Sequence, residues 1–359
     1  MVRPKYTFTI ISIMLLVLTA ATLLPKTRAA TGEQLVFTAY ADNNAQMEIY
    51  LLDVDSGNVQ NLTNNASGTQ TNPAWSPDGK SIAYISALPS SQDAYNIVVM
   101  DVATRENRIL AANGLVWSEP VWSPDGKQIA YWSYDKDKNG AIYIVNSDSG
   151  EAQRLGDTGR GGGVGLSWSP DGTHILYSSS DGLYTATVDD GTATNLTIDK
   201  DRVSATFLAA GAGVWSPDGT QIAFVANWEP KSLQIYTMNA DGSNPQLVIA
   251  QTDWQIGPTW FPDGKRLVFT YESSSTHKLG QLYTVQADGS EPTQLTDQME
   301  LYLPKISPDG SQIAYIVSNQ NRNQTDLYLV TLGQAQPTPL THGEYHNISR
   351  LAWRPILKP

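Results

Sequence analysis

The sequence predicts an all-β fold: a seven-bladed β-propeller whose closing blade is split between the two ends of the chain. Three observations carry this expectation. Trp75-Ser76-Pro77-Asp78-Gly79 returns at Trp122, Trp168 and Trp215, returns with one change each at Trp260 and Ile306, and ends in a worn seventh copy, Trp353-Arg354-Pro355. The intervals between copies are 47, 46, 47, 45, 46 and 47 residues, a regularity that belongs to stacked supersecondary units. Charged residues make up only 16% of the chain, while 10 Trp, 17 Tyr, 28 Gly and 20 Pro give it a turn-rich β composition.

Within each period the elements follow in a fixed order. Ser-Pro-Asp-Gly reads as a tight hairpin turn: Pro presets φ near −65°, Ser and Asp can bond the local backbone, and Gly takes the left-handed position. Its acids are therefore turn chemistry and not a catalytic array. An apolar run comes next, such as Ile82-Ala83-Tyr84-Ile85 or Ile222-Ala223-Phe224-Val225. These runs are short, β-branched and aromatic, as expected of strands covered on both faces. A second run, such as Gln234-Ile235-Tyr236-Thr237-Met238, leads to Asp-Gly or Ser-Gly turns at Gly150, Gly191, Gly242 and Gly289. A last short strand, such as Thr194-Asn195-Leu196-Thr197, completes four strands per period.

A four-stranded sheet with two apolar faces is not stable alone, and radial repetition lets each sheet cover its neighbours. Residues 32–359 number 328, and at a spacing near 46 they make about seven blades. The ends support this count. Only three strand signals precede Trp75, namely 35–38, 48–52 and 60–63, whereas 349–353 matches the run that leads into each turn. The C-terminal strand is thus expected to join the three N-terminal ones.

Residues 1–30 read differently. Arg3 and Lys5 precede an apolar run from Tyr6 to Leu24, followed by Pro25-Lys26-Thr27-Arg28-Ala29-Ala30. This is the pattern of an export signal cleaved after Ala29, or of an uncleaved membrane anchor over residues 6–24. Either reading places residues 32–359 in the periplasm or outside the cell. The net charge is −12, and because the first 30 residues hold four of the 23 basic residues and no acid, the remainder carries 19 basic against 35 acidic residues, or −16. Such a surface disfavours nucleic acid and anionic membranes as partners. With no cysteine, disulfides, thiolate metal sites and a cysteine nucleophile are excluded.

The pattern Pro-x-Trp-Ser-Pro-Asp-Gly-Lys-x-Ile-Ala-Tyr, then Ile-Tyr with Asp-Gly, then Leu-Thr, resembles the WD40-like propeller repeat of the TolB family, which also occurs in prolyl-oligopeptidase-type enzymes. The resemblance covers essentially everything after residue 32 and implies a propeller fold and an exported setting. TolB carries an α/β domain before a six-bladed propeller, whereas this sequence reads as seven blades, so the resemblance implies less about a Tol-Pal role. The Gly-x-Ser-x-Gly of the peptidase relatives is absent from the sequence.

Antiparallel pairing puts the Ser-Pro-Asp-Gly and Asp-Gly turns on one face of the disc. The other connections, on the opposite face, vary in length: 111–119, 156–166 with a glycine-rich run, 198–213, 271–280 and 342–349. Varied loops on a uniform scaffold are where recognition concentrates. The candidate binding residues on that face are Trp117, Glu119, Arg160, Trp254, Tyr302, Tyr345, His346 and Arg350, with aromatics supplying contact area and arginine fixing an anion. The bland alternative for these aromatics is packing between blades, and for the charges a solvated loop.

Asp135, Asp137 and Asn139 before Gly140 match the start of a calcium loop, but the twelfth position is Asn146 where the motif needs glutamate, so a polar hairpin is the competing reading. No other cofactor is expected. His342 and His346 are four apart in an expected loop, which does not converge them on a metal. The Asn-x-Ser/Thr sites at Asn61 and Asn195 read as the repeat's own Asn-Leu-Thr. These signals point to a monomeric, non-catalytic scaffold for a protein or cell-envelope ligand. The alternative is a propeller enzyme acting on carbohydrate, of glycosidase or lyase type, with two carboxylates across the mouth.

Overall fold

In a computed structural model the chain divides into Met1–Thr31 and Gly32–Pro359. The structure describes residues 32–41, 46–64, 68–87, 95–116, 118–134, 137, 139–158, 165–179, 182–197, 213–228, 233–250, 254–272, 279–297, 301–319, 324–334 and 336–356. The export-signal segment thus lies outside the described residues. Among the described residues no helix is long and apolar enough to cross a membrane.

The strands, in chain order, begin with β1 (Gln34–Ala41), β2 (Glu48–Asp53) and β3 (Val59–Asn61). Blade 1 holds β4 (Gln70–Trp75), β5 (Ser81–Ala87), β6 (Tyr95–Asp101) and β7 (Asn107–Val116). Blade 2 holds β8 (Val121–Trp122), β9 (Gln128–Tyr134), β10 (Gly140–Asn146) and β11 (Ala152–Asp157). Blade 3 holds β12 (Ser167–Trp168), β13 (His174–Ser179), β14 (Gly182–Thr187) and β15 (Ala193–Asn195). Blade 4 holds β16 (Val214–Trp215), β17 (Gln221–Ala226), β18 (Gln234–Asn239) and β19 (Gln246–Leu247). Blade 5 holds β20 (Trp254–Trp260), β21 (Arg266–Glu272), β22 (Leu279–Gln286) and β23 (Thr293–Gln294). Blade 6 holds β24 (Leu301–Ile306), β25 (Gln312–Asn319), β26 (Gln324–Thr331) and β27 (Thr338–Pro339), and β28 (Tyr345–Trp353) ends the chain.

The closing sheet has the order β28-β1-β2-β3, so the expected split blade is present. Trp353 pairs with Leu35 and Leu351 with Phe37. Two features depart from expectation. β7, predicted as a loop from Ala111, stays extended to Val116 and pairs its last two residues with β9, which joins blades 1 and 2 into one eight-stranded sheet. The predicted loop 342–349 is likewise strand from Tyr345, because β1 runs on to Ala41 and offers Ala41 and Tyr40 as partners for Tyr345 and His346.

Among the described residues the buried side chains form seven clusters, each sandwiched between consecutive blades. One joins Leu35, Phe37 and Ala39 to Ile316 and Leu327 of blade 6, while Val36 and Ile49 on the other face of the same sheet meet Trp75 and Ile82 of blade 1. Alternate residues of a strand thus enter different apolar layers, which is why the strand runs are continuously hydrophobic. Cross-strand aromatic pairs recur at one register position, among them Phe37–Tyr50, Tyr131–Tyr143 and Tyr315–Tyr328, with centroids 5.4, 5.5 and 5.9 Å apart.

The repeat motif stitches blade to blade. Trp122, Trp168, Trp260 and Trp353 donate Nε1–H to Ala74, Val121, Val214 and Lys305 carbonyls, at 3.1, 2.9, 3.2 and 2.8 Å. In each case the acceptor is the inner strand of the preceding blade. The motif glycines, in the left-handed region, nest against the preceding turn's proline: a Cβ on Gly126 would lie 3.6 Å from Pro77, and one on Gly310 3.3 Å from Pro262. At the worn copy, Arg354 takes over the seam. Its Nε donates to Gly79 O at 2.8 Å, its Nη1 to Gln34 Oε1 at 2.7 Å, and its guanidinium lies 5.2 Å from the Trp75 ring.

Candidate functional site

The turn face is built by local chemistry. Ser76, Ser123, Ser169, Ser216 and Ser307 donate Oγ–H to the aspartate two residues on, at 2.6–2.7 Å. Hydrogen bonds to the carboxylate stabilise its charged form. The Ser169 hydroxyl, then the Thr173 backbone and hydroxyl, lower Asp171 to about 2. Asp125 and Asp218 are lowered chiefly by the same serine bond. In the variant copy, Phe261 replaces the serine, and Arg266 holds Asp263 at 2.8 Å while stacking 4.1 Å from the Phe261 ring. The aspartates are thus engaged in their own turns.

The Leu-Thr signal also proves architectural. Thr63, Thr197, Thr296 and Thr341 accept the backbone N–H of Ile49, Leu183, Leu282 and Leu327 at 3.0, 3.0, 3.1 and 2.9 Å. Asn61 and Asn195 accept the backbone N–H of the threonine two residues on. Both Asn-Leu-Thr sites therefore hold the outer strands in place.

The inner strands carry a recurring irregularity. Pairing skips from Thr71 to Ala74 in β4, from Ile256 to Thr259 in β20 and from Tyr302 to Lys305 in β24. Each skip contains the proline two residues before the motif, Pro73, Pro258 or Pro304, which has no N–H for a ladder. The residue before that proline lies within the inner strand, three positions ahead of the motif's first residue. In blades 1 to 7 this position is Asn72, Glu119, Gly165, Ala212, Gly257, Leu303 and Arg350.

Two of the candidate residues meet here. Arg350 on β28 and Glu119 ahead of β8 form an ion pair, Nε to Oε1, with side chains 41% and 43% exposed. Their blades are not neighbours, so the pair spans the inner end of blade 1. The contact is one of charge rather than an aligned hydrogen bond, since Arg350 Nε is buried with no bonded acceptor. Tyr345 instead packs at 5.3 and 5.0 Å on Phe37 and Tyr50, within the closing cluster, and burial raises its phenol. His346 is half-buried on β28 opposite Tyr40. Trp254 is the first residue of β20 and Tyr302 the second of β24, so both sit at inner-strand starts. Trp117, Arg160 and Asp135 lie outside the described residues, while Asp137 and Asn139 are exposed between β9 and β10. Among the described residues no group of three or more His, Asp or Glu could hold a metal ion.

Asn72 and Lys305, also on inner strands, were not singled out by sequence. The signal that finds Asn72 is its spacing from Trp75, identical to that of Glu119 from Trp122 and of Arg350 from Trp353.

With this geometry in view, the comparisons with known proteins decide the family. The TolB beta propeller domain matches residues 24–211 and 197–352. The chain belongs to the TolB β-propeller family. The Tol-Pal system protein TolB of Francisella tularensis (strain WY96-3418) is 27% identical over 216 residues, covering 46% of this chain and 48% of its own. The chain spans about half the length of such curated relatives. TolB from Acinetobacter baumannii shares the fold with a TM-score of 0.56 at 19% identity, covering 90% of this chain and 83% of that one. An oligogalacturonate lyase in complex with manganese does so with 0.60 at 17% identity, covering 86% and 85%. At these identities the likeness to the structures is one of fold alone, and the TolB propeller here has seven blades.

Proposed function

We propose that the chain is an exported, non-catalytic scaffold of the cell envelope whose varied face holds a segment of a protein partner. The observation that carries this reading is the asymmetry of the disc. One face is a ring of near-identical turns whose aspartates are occupied by their own serines and backbone, whereas the connections expected on the other differ in length and composition from blade to blade. Curated relatives named for the Tol-Pal system favour a protein partner over a sugar. Residues 1–30 supply the export signal or anchor in this reading, and the mass of the mature N-terminus distinguishes the two.

The test is capture from envelope extracts with the folded ring as bait, run beside a polysaccharide turnover panel that includes oligogalacturonates. Recovery of a stoichiometric partner with no turnover supports the scaffold. Turnover of any polysaccharide overturns it in favour of a propeller enzyme.

A further inference from the structure

The outer strands differ in how they close the rim of the disc. β3 and β15 have three residues and β19, β23 and β27 have two, whereas β7 has ten. Pro245, Pro292 and Pro337 stand immediately before β19, β23 and β27, and proline has no N–H to offer a further strand. β11, with six residues, carries the Arg154–Asp157 ion pair, and charge on an outer strand discourages pairing with another chain. β7 has neither safeguard: residues 107–116 include no proline and one charge, Arg108. It pairs with β6 on one side and, at its last two residues, with β9. Among the described strands none pairs with the other edge of residues 107–111.

The one charge is turned aside. Arg108 donates through Nη1 and Nη2 to the Asp148 and Ser147 carbonyls of blade 2, and Leu110, on the same side of the strand, joins the layer with Ile129 and Tyr131. On the opposite side Asn107 accepts from the Tyr84 hydroxyl at 3.1 Å. Ile109, next along that side, is 58% exposed, more than any other large apolar side chain among the described residues. Pairing with β6 steps over Leu110 to Ala111, so the straight edge is 107–109, with Ile109 at its end. An open edge beside an exposed β-branched residue suits an added strand, main-chain bonds giving affinity and the side chain giving choice. The turns at the start of β7 set its charge. Asp101, Glu106, Asp148 and Glu151 stand there against Arg105 and Arg108, four acids to two bases, or −2, while Asp78–Lys80 and Asp125–Lys127 of the adjoining motif turns pair off. Because β7 leaves the turn face at Asn107, an antiparallel segment reaches these acids with its C-terminal end.

We infer that the outer edge of β7 is a second attachment surface, which adds an extended, antiparallel segment of a partner polypeptide to blade 1. The segment carries a β-branched apolar residue against Ile109 and lysine or arginine at its C-terminal end, beside Glu106, Asp148 and Glu151. A second copy of this chain suits the edge less well, because two bodies of −16 each repel. The edge lies on the rim and not on the varied face, so its failure would leave the scaffold reading untouched.

The probe is the fluorescein-labelled peptide Thr-Val-Thr-Val-Thr-Lys-Lys, titrated against the whole mature chain at about 50 mM salt, where charge is weakly screened. Two comparison peptides end in Glu-Glu or carry N-methyl groups on the central amides, which removes the donors. The lysine peptide is expected to bind saturably, to slow amide hydrogen exchange in residues 107–111, and to bind about 10-fold or more weakly to Ile109→Lys. Leu247→Lys is the control, because Leu247 faces Tyr236 at the register where Ile109 faces Val98 but sits on a two-residue strand after Pro245; it should leave affinity unchanged. Thermal melts show whether the variants fold, and Ile109→Thr, expected to lose less, keeps the test open if Ile109→Lys does not. Equal affinity for wild type and a folded Ile109→Lys, undiminished binding of the N-methylated peptide, preference for the glutamate peptide, an equal loss in Leu247→Lys, or no binding up to about 1 mM would each overturn the inference. So would a wild-type dimer in sedimentation that Ile109→Lys abolishes, since that assigns the edge to a second copy.

Discussion

Replacing Arg354 by alanine tests whether the worn seventh copy is the fastening of the ring. The side chain donates to Gly79 O at 2.8 Å and to Gln34 Oε1 at 2.7 Å, and covers the Trp75 ring at 5.2 Å. It thus touches the first strand and the first turn of the ring from the last strand. Hydrogen bonds from a charged donor contribute about 1.5–3 kcal/mol each when desolvated, and a partly exposed cation–π contact about 0.5–1 kcal/mol. Discounting for partial exposure and lost side-chain entropy, truncation should cost about 3 kcal/mol. With roughly 2.1 cal/mol/K per residue of unfolding entropy, a ring of 328 residues, 359 minus 31, has ~0.7 kcal/mol/K, so the midpoint falls by about 4 °C. Differential scanning calorimetry measures this directly. A double-mutant cycle with Gln34→Ala should return a coupling of about 1 kcal/mol. A shift below about 1 °C, with no coupling, would refute the assignment of Arg354 to the seam.

Other consequences are separately measurable. Gly191 has φ of 72° and its Cβ would sit 2.1 Å from Leu155 O, whereas Gly333, at φ of 83°, has open space; Gly191→Ala should cost at least ~3 kcal/mol and Gly333→Ala only the left-handed penalty of ~1–2 kcal/mol, as chemical denaturation will show. Arg105 occupies at φ 65° the turn position that is Gly57, Gly150 and Gly191 in other blades, and its Nη1 is buried without a bonded partner, so Arg105→Gly should raise stability by about 1 kcal/mol; a fall would show a contact that matters more than the strain. Asp171 is lowered to about 2 by the Ser169 hydroxyl first, from an ordinary 3.8. Its contribution to stability is therefore present above pH 3.8 and lost as pH falls through about 2, and Ser169→Ala should flatten the melting curve in that window while leaving the pH 5–7 slope unchanged.

Most of the architecture was legible because it rests on local chemistry repeated six times and echoed by a worn seventh copy. The Ser-Pro-Asp-Gly turn fixes where each hairpin lies, and the spacing between turns fixes the number of blades. The missing fourth strand ahead of Trp75 and the surplus strand at the end then dictate closure. What was not legible depends on which elements become neighbours. Tyr345 reads as a binding aromatic from its place near a varied loop, but β1 runs to Ala41 and extends the closing pair, which draws the ring onto Phe37 and Tyr50. Likewise β7 reaches Val116 because β9 offers Tyr134 and Ser133 as partners, and nothing in residues 111–116 alone announces it.

The departures from the repeat are the informative residues, because a position that the fold requires is filled alike in most blades. Serine, aspartate and glycine of the turns answer to hairpin geometry, and where serine is replaced at Phe261, Arg266 restores the restraint on Asp263. The position three residues ahead of each motif obeys no such rule: it is Asn, Glu, Gly, Ala, Gly, Leu and Arg in turn. Backbone geometry accounts for the glycines in the left-handed region at 165 and 257, but Asn72 reaches φ of 55° without being glycine, so conformation alone does not set the residue type. The position thus varies from blade to blade, and its two opposite charges and an amide fall on three consecutive blades. Arg350 and Glu119 can meet only because blades 7 and 2 flank blade 1 around a closed circle. The ion pair therefore forms only in the closed ring, and Arg354→Ala should lower the coupling between Arg350 and Glu119 that a double-mutant cycle measures.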